Sequence, residues 1–405
     1  MKSLALVVLG AATAHAGGLG RPNGISARGV GMGGAFTAWA DDATAIYFNP
    51  AALDAIDPHV MVGGELVLGP RSYTPVADDG TRGPAQEATV VAPVPSAGVV
   101  GRFWYDGQPS RFTLGAGLWN TFGGKVSFPV TGQPALDATQ DAVIEASAAA
   151  SVRISDKLAV GGAFRLGYGS FSVDATMDPF NAHLSASGIG VAMGWGALVR
   201  PTDTIRIGLT WRSPLRIATS GSGTVEVVAG SPTHTPVAHD QVWPQQVSLG
   251  VGWQAMPALK LAAQLDWTEW SMIHSIVVTF PTGAEPDQVY PESWTDSWTP
   301  RLGGEYTVSP ALAVRAGTYV DTAAVPDRTI ERQYLDSTKL GVAAGASYAI
   351  ADWRVDAALD VVVPSTRTVP NNTMATAAFP SDRNKAPGDY AGTLVTFELA
   401  AARRF

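Results

Sequence analysis

Along most of this chain, apolar residues recur at every second position in strand-length stretches, the period of a β-strand with one greasy face. In residues 204–212, Ile205, Ile207, Leu209 and Trp211 fall on one side, and Arg206, Gly208, Thr210 and Arg212 on the other. Residues 259–267 repeat the pattern, with Leu259, Leu261, Ala263, Leu265 and Trp267 opposed to Lys260, Ala262, Gln264 and Asp266. Shorter copies set Leu312, Val314 and Ala316 against Arg315, and Val355, Leu359 and Val361 against Arg354, Asp356 and Asp360. The alternation predicts about fourteen strands, near 59–68, 95–104, 111–122, 143–154, 158–173, 186–199, 204–217, 242–255, 258–274, 297–307, 311–321, 337–349, 353–363 and 393–404.

Alternation alone does not separate a soluble sandwich from a membrane barrel, because either buries one face of each strand. Connection lengths do separate them. Links after the even-numbered strands are short, as in Ser155-Asp156-Lys157, Pro201-Thr202-Asp203, Met256-Pro257 and Ser309-Pro310, whereas those after odd-numbered strands are long and rich in Pro, Asp, Gly and Thr. Sorting by parity, together with an even strand count, predicts an all-β transmembrane antiparallel barrel with one tight rim and one elaborated rim. Trp104, Tyr105, Trp119, Trp211, Trp267, Trp270 and Tyr319 fall near strand ends, where aromatic girdles at the membrane interfaces are expected, and the last strand ends on Phe405.

Composition fits this picture. The 405 residues include 44 glycines and 12 tryptophans with only 15% charged side chains, and no stretch after the N-terminus approaches the roughly 18 apolar residues of a spanning helix. Cysteine is absent, which removes disulfide and thiol chemistry. A formal charge of −8 with no basic run argues against nucleic acid. Met1-Lys2-Ser3, the apolar Leu4 to Ala12 and Ala14-His15-Ala16 have the form of a cleaved secretory signal over residues 1–16.

Residues 17–57 do not alternate and are therefore not barrel wall. They contain Gly31-Met32-Gly33-Gly34-Ala35-Phe36 and then Asp41-Asp42-Ala43-Thr44-Ala45-Ile46-Tyr47-Phe48-Asn49-Pro50-Ala51. Asp41 and Asp42 suit the cap of a short helical turn, and Asn49-Pro50 ends it, since a residue before proline is pushed out of the helical region. Such a compact piece ahead of the first strand belongs in the lumen or the periplasm. These two blocks, with Leu209-Thr210-Trp211-Arg212-Ser213-Pro214, Asp266-Trp267-Thr268-Glu269-Trp270-Ser271 and Val325-Pro326-Asp327-Arg328 leading to Asp336, make the chain resemble the FadL/TodX family of outer-membrane long-chain fatty-acid and hydrocarbon transporters along its whole mature length.

The resemblance implies a plugged barrel spanning 58–405 whose hatch, residues 17–57, carries Phe36, Phe48 and the Asn49-Pro50-Ala51 motif. It also implies capture of a hydrophobic small molecule by outer loops, passage through a pocket, and passive exit sideways where the third strand kinks. The kink would lie at Asn120, Phe122, Gly123 and Gly124; alternatively, those glycines only open the following loop. The link over 125–142 is shorter than the family's capture loop. A carboxylate cargo would need an inward arginine, and alternation turns Arg165, Arg206, Arg212, Arg315 and Arg354 inward, with Arg165, Arg212 and Arg315 as candidates; inward acids such as Asp266, Asp356 and Glu398 are rival partners.

Catalysis and cofactors are not expected. His59, His183, His234, His239 and His274 are the mature histidines, all but His59 in or beside expected outer loops, and they offer neither a nucleophile-base arrangement nor metal-ligand spacing. A porin-like channel or a surface-binding barrel without hydrophobic cargo is the alternative. Expected contacts are outer-membrane lipid and lipopolysaccharide. With no interface stripe, a monomer is the default.

Overall fold

A computed structural model describes residues 25–77, 79–105, 108–129, 135–177, 180–227, 233–282, 287–333, 336–370 and 386–405. The expected leader, 1–16, and residues 17–24 lie outside them. Twenty strand segments are present among the described residues, and they join end to end into the fourteen antiparallel strands of a closed barrel. These are β1 (His59–Pro75), β2 (Gln86–Tyr105), β3 (Gln108–Ser127), β4 (Ala135–Ser155), β5 (Leu158–Met177) and β6 (Phe180–Val199). Next come β7 (Ile205–Arg212 with Leu215–Val227), β8 (Thr233–Trp243 with Gln246–Met256), β9 (Leu259–Thr268 with Ser275–Thr279) and β10 (Gln288–Pro291 with Ser297–Thr307). The last four are β11 (Leu312–Asp321), β12 (Lys339–Ile350), β13 (Trp353–Pro364 with Arg367–Val369) and β14 (Gly388–Gly392 with Leu394–Arg404). Pro214 and Pro244 mark two of the breaks, where proline removes a ladder donor. The barrel closes through β14 on β1, from His59 opposite Arg404 to Leu68 opposite Val395.

The alternation has the direction expected of a lipid-embedded wall. Leu209, Trp211, Leu261, Leu265, Val314, Val355 and Leu359 are exposed on the outside, while Thr210, Arg212, Gln264, Asp266, Arg315, Asp356 and Asp360 are buried inside. No described helix is long and apolar enough to cross a membrane. The girdle differs in part from expectation: Trp211 faces outward, Trp119, Trp270 and Tyr319 are buried in the lumen, exposed Trp195, Trp253, Trp298, Tyr306, Tyr348 and Trp353 add further outward aromatic positions, and the side chains of Trp104 and Tyr105 lie outside the described residues.

Several strands also run further than the alternation predicts on the long-link side. β2 begins at Gln86, β4 at Ala135 and β8 at Thr233, and β5 runs to Met177 and β6 starts at Phe180. Beyond the lipid, strand pairing continues but neither face has to be greasy, so the period-two signal fades before the ladder does. His183, His234 and His239 consequently sit on strands rather than in loops.

Candidate functional site

Residues 25–57 pack inside the barrel against its lumen-facing side chains. Two short helices, α1 (Ala27–Gly31) and α2 (Ala45–Phe48), and a 3-10 turn (Pro50–Ala55) carry this segment. Asn49 ties the segment to itself and to the wall: Oδ1 accepts the Ala51 N–H at 3.1 Å, capping the 3-10 turn, and Nδ2 donates to the carbonyls of Thr37 and of wall residue Ala197, each at 3.1 Å. Thr210 Oγ1 donates to the Phe48 carbonyl and Ser151 Oγ to that of Ala51. Phe36 and Phe48 pack edge to face at 5.4 Å. Wall residue Gly161 permits the fit, since a Cβ there would lie 2.6 Å from the Ala51 nitrogen.

Charge fastens the segment to the wall. Asp54 is bridged by Arg153 at 3.1 Å and Arg200 at 2.6 Å. Arg28 pairs with Asp41 at 2.5 Å and Glu305 at 3.3 Å. Burial alone would raise the Asp41 pKa, but Arg28, Lys260 and Arg354 hold its carboxyl well below the usual carboxylate range.

The three arginines considered for a carboxylate cargo are engaged by the chain's own acids. Arg165 and Arg212 both meet Glu145, at 2.8 and 3.0 Å. Arg315 meets Glu305 at 2.5 Å. Arg354 pairs with Asp356 at 2.9 Å, and Arg206 stacks over Trp39 at 4.5 Å. A fatty carboxylate would have to displace one of these acids. Beneath the segment, on the short-turn side, a vestibule of about 680 Å³ is lined by Arg28, Asp41, Asp57, His59, Arg354 and Arg404 among others, a polar space unsuited to a greasy molecule.

The wall is not uniformly sealed. β2 and β3 pair from Tyr105 opposite Gln108 to Ala97 opposite Leu118. Beyond that point β2 continues to Gln86 against β1 only, and β3 continues to Ser127 against β4 only. At the same place β3 leaves its alternation: Leu118 faces out, and Trp119, Asn120, Thr121 and Phe122 are all buried. The β3–β4 register shifts between Asn120 and Phe122, and Gly123 takes φ +135°, where a Cβ would lie 2.8 Å from Ala142 Cα. Only glycine adopts that conformation without strain.

Phe122 connects the bulge to the lumen by stacking on Trp243 at 4.8 Å. Trp243 in turn lines a mainly apolar cavity of about 190 Å³, walled also by Phe171, Leu184, Ile273, Tyr290 and Trp294. The link between β11 and β12 folds inward over this region, burying Ala324, Val325 and Ile330 in the same apolar cluster.

Comparison with known proteins gives this architecture a family. The sequence profile described as outer membrane protein transport protein (OMPP1/FadL/TodX) matches residues 7–405. The chain belongs to this family. The fold is shared with a Pseudomonas aeruginosa FadL homologue at a TM-score of 0.83 and 17% identity, covering 96% of this chain and 100% of that one. It is also shared with the Ralstonia pickettii toluene transporter TbuX, at 0.72 and 18% over 95% and 99% of the two chains, and with the Pseudomonas putida toluene transporter TodX, at 0.75 and 16% over 96% and 100%. No curated protein sequence matches.

Membership in the OMPP1/FadL/TodX family places the barrel in the outer membrane, among transporters of hydrophobic compounds rather than enzymes. Within this family member the structure brings Phe36, Phe48, Asn49, Pro50 and Ala51 together in the lumen, and Asn120, Phe122, Gly123 and Gly124 together at the bulge. The two groups occupy different levels of the barrel. Missed by sequence reasoning were the cavity residues, Asp141, Gln241, Trp243 and Trp294 above all, because they come from strands and links far apart in the chain. The one local signal was Trp243-Pro244, a bulky aromatic at a strand break.

Proposed function

We propose that the protein lets hydrophobic small molecules diffuse passively from the outer surface into the lumen and out sideways into the bilayer. On this reading residues 1–16 are a removed leader, 17–57 a hatch that floors the lumen, and 58–405 the transporting barrel. The carrying observation is the continuity of cavity and seam: Trp243 lines the cavity, Phe122 stacks on it, and Phe122 belongs to the stretch of β3 that has parted from β2. Below the cavity lie the Glu145–Arg165–Arg212 cluster and the docked segment. An apolar cargo gains roughly 0.8 kcal/mol per buried methylene and loses this against charged groups, so the sideways route is the less costly one.

Size favours single-ring compounds over long-chain fatty acids. A cavity of 190 Å³ is close to the roughly 150 Å³ of an engineered apolar cavity that holds benzene, and the inward arginines are occupied. The names of TbuX and TodX as toluene transporters support the same choice.

The test is uptake of radiolabelled toluene and of a long-chain fatty acid by cells that lack their own transporter and express wild type or Gly123→Val. A valine at φ +135° is strained by about 1–3 kcal/mol in the bulged form, so it pulls β3 toward a straight, closed wall. Toluene uptake is expected to exceed that of the fatty acid in wild type and to fall severalfold in the variant, with assembly verified by heat-modifiable gel mobility. Background uptake of both compounds in wild type would refute the transport reading. Free passage of sugars into liposomes would favour a porin-like channel.

A further inference from the structure

The cavity in the upper lumen combines a buried acid with aromatic walls, and no lysine or arginine among the described residues lines it. Asp141 on β4 lies opposite Gly124 at the β3 bulge and is 6% exposed. Its side chain accepts one hydrogen bond, from Gln241 Nε2 at 3.2 Å, and it forms no ion pair among the described residues. Among the described residues Asp141, Asp240, Glu292 and Glu331 line the cavity and no lysine or arginine does. The only imidazole, His239, has Nδ1 3.0 Å from the Val277 carbonyl, an acceptor that fixes this nitrogen as a donor. Elsewhere in the lumen Glu145, Asp266 and Glu305 each carry an arginine partner.

We propose that this cavity is a binding site for a single-ring compound bearing a protonated amine, with the ammonium held by the Asp141 carboxylate and the ring held by the aromatic walls. A carboxyl group in an apolar enclosure ionises only where a counter-charge meets it, and a ligand ammonium would supply that charge. A cation set against aromatic rings gains further from their quadrupoles, and Phe171, Trp243, Tyr290 and Trp294 line the cavity. The same lining repels a carboxylate ligand of equal size, because among the described residues it offers acids and no lysine or arginine. The inference rests on the cavity being the cargo chamber and adds the charge of the cargo.

The experiment uses the full-length protein purified in detergent and three probes of matched size: 2-phenylethylamine, ethylbenzene and 3-phenylpropanoate. Binding is read from the change in tryptophan fluorescence, since Trp243 and Trp294 wall the site. The amine is expected to saturate at a concentration roughly tenfold below ethylbenzene, and the propanoate to give no saturable change. In Asp141→Asn the advantage of the amine over ethylbenzene is expected to vanish while ethylbenzene binding persists. Equal or tighter binding of ethylbenzene by wild type overturns the proposal, and that comparison stands even where the variant fails to assemble. An amine advantage that survives Asp141→Asn overturns it as well. Uptake of ethylbenzene and of 2-phenylethylamine by expressing cells is measured in parallel. Uptake without amine preference removes only this inference, whereas amine binding without uptake of either compound removes the transport reading and leaves the site.

Discussion

Replacing Asn49 by alanine tests how the segment inside the barrel is held. The side chain caps the 3-10 turn through Ala51 N–H and donates to Thr37 and Ala197, and it is fully buried. Loss of the cap costs about 1 kcal/mol. The two carbonyls left without this donor add roughly 1–3 kcal/mol, tempered by any water that reaches them. A total near 3 kcal/mol corresponds to about a hundredfold rise in the undocked population. Hydrogen exchange read by mass spectrometry on a peptide spanning 43–56 measures this directly, with peptides from β5 and β11 as internal controls. The expected result is about a hundredfold faster exchange in 43–56 with the controls unchanged. Unchanged exchange there, in a barrel that assembles normally, would refute the reading of Asn49 as the tether of the segment. A uniform increase across all peptides would instead place its contribution in the barrel as a whole.

Two other expectations follow from the charge arrangement. Glu145→Gln leaves the buried guanidiniums of Arg165 and Arg212 without their shared carboxylate; Arg165 keeps the Met193 and Ser213 carbonyls and Arg212 keeps the Tyr47 ring, so the loss should be about 3 kcal/mol, the low end for a broken buried pair. A heat-modifiability midpoint equal to that of wild type would contradict this. Asp41, with its pKa depressed in the docked state, stabilises docking at all pH values above the ordinary carboxylate range and loses that contribution only as pH falls toward its lowered value. Exchange in a peptide spanning 35–47 is therefore expected to be unaffected by docking loss at pH 5, once corrected for intrinsic rates, and release near pH 5 would contradict the pairing with Arg28.

Much of the architecture was written in local pattern. Leu209 and Trp211 against Thr210 and Arg212 require an outside and an inside, because period two puts neighbours on opposite faces and only one face meets lipid. The parity of link lengths separated the two rims, and the loss of alternation before residue 58 removed the N-terminal piece from the wall. Asn49-Pro50 announced a helix end, which is where the 3-10 turn begins. The glycines after Phe122 were legible as a place where the wall could deviate, although they did not exclude a simple loop start.

What only the tertiary structure decided is which residues meet. Trp270 has the sequence position of a girdle residue, yet it turns inward because β9 is broken by a 3-10 turn at Trp270–Met272, whereas Trp119 and Tyr319 share the lumen-facing parity of Thr113 and Arg315 on their strands. The outer lengths of β2, β4 and β8 were hidden because paired strands outside the lipid need no greasy face. Arg165 and Arg212 were candidates for a ligand until the register of β4 on β5 and the curve of the wall to β7 set Glu145 between them. Asp141, Gln241, Trp243 and Trp294 share a cavity only because the wall curves back on itself, and no period or spacing along the chain encodes that meeting. Hydrophobic alternation specifies a face for each residue, whereas the identity of its neighbour across the lumen depends on strand number, register and closure taken together.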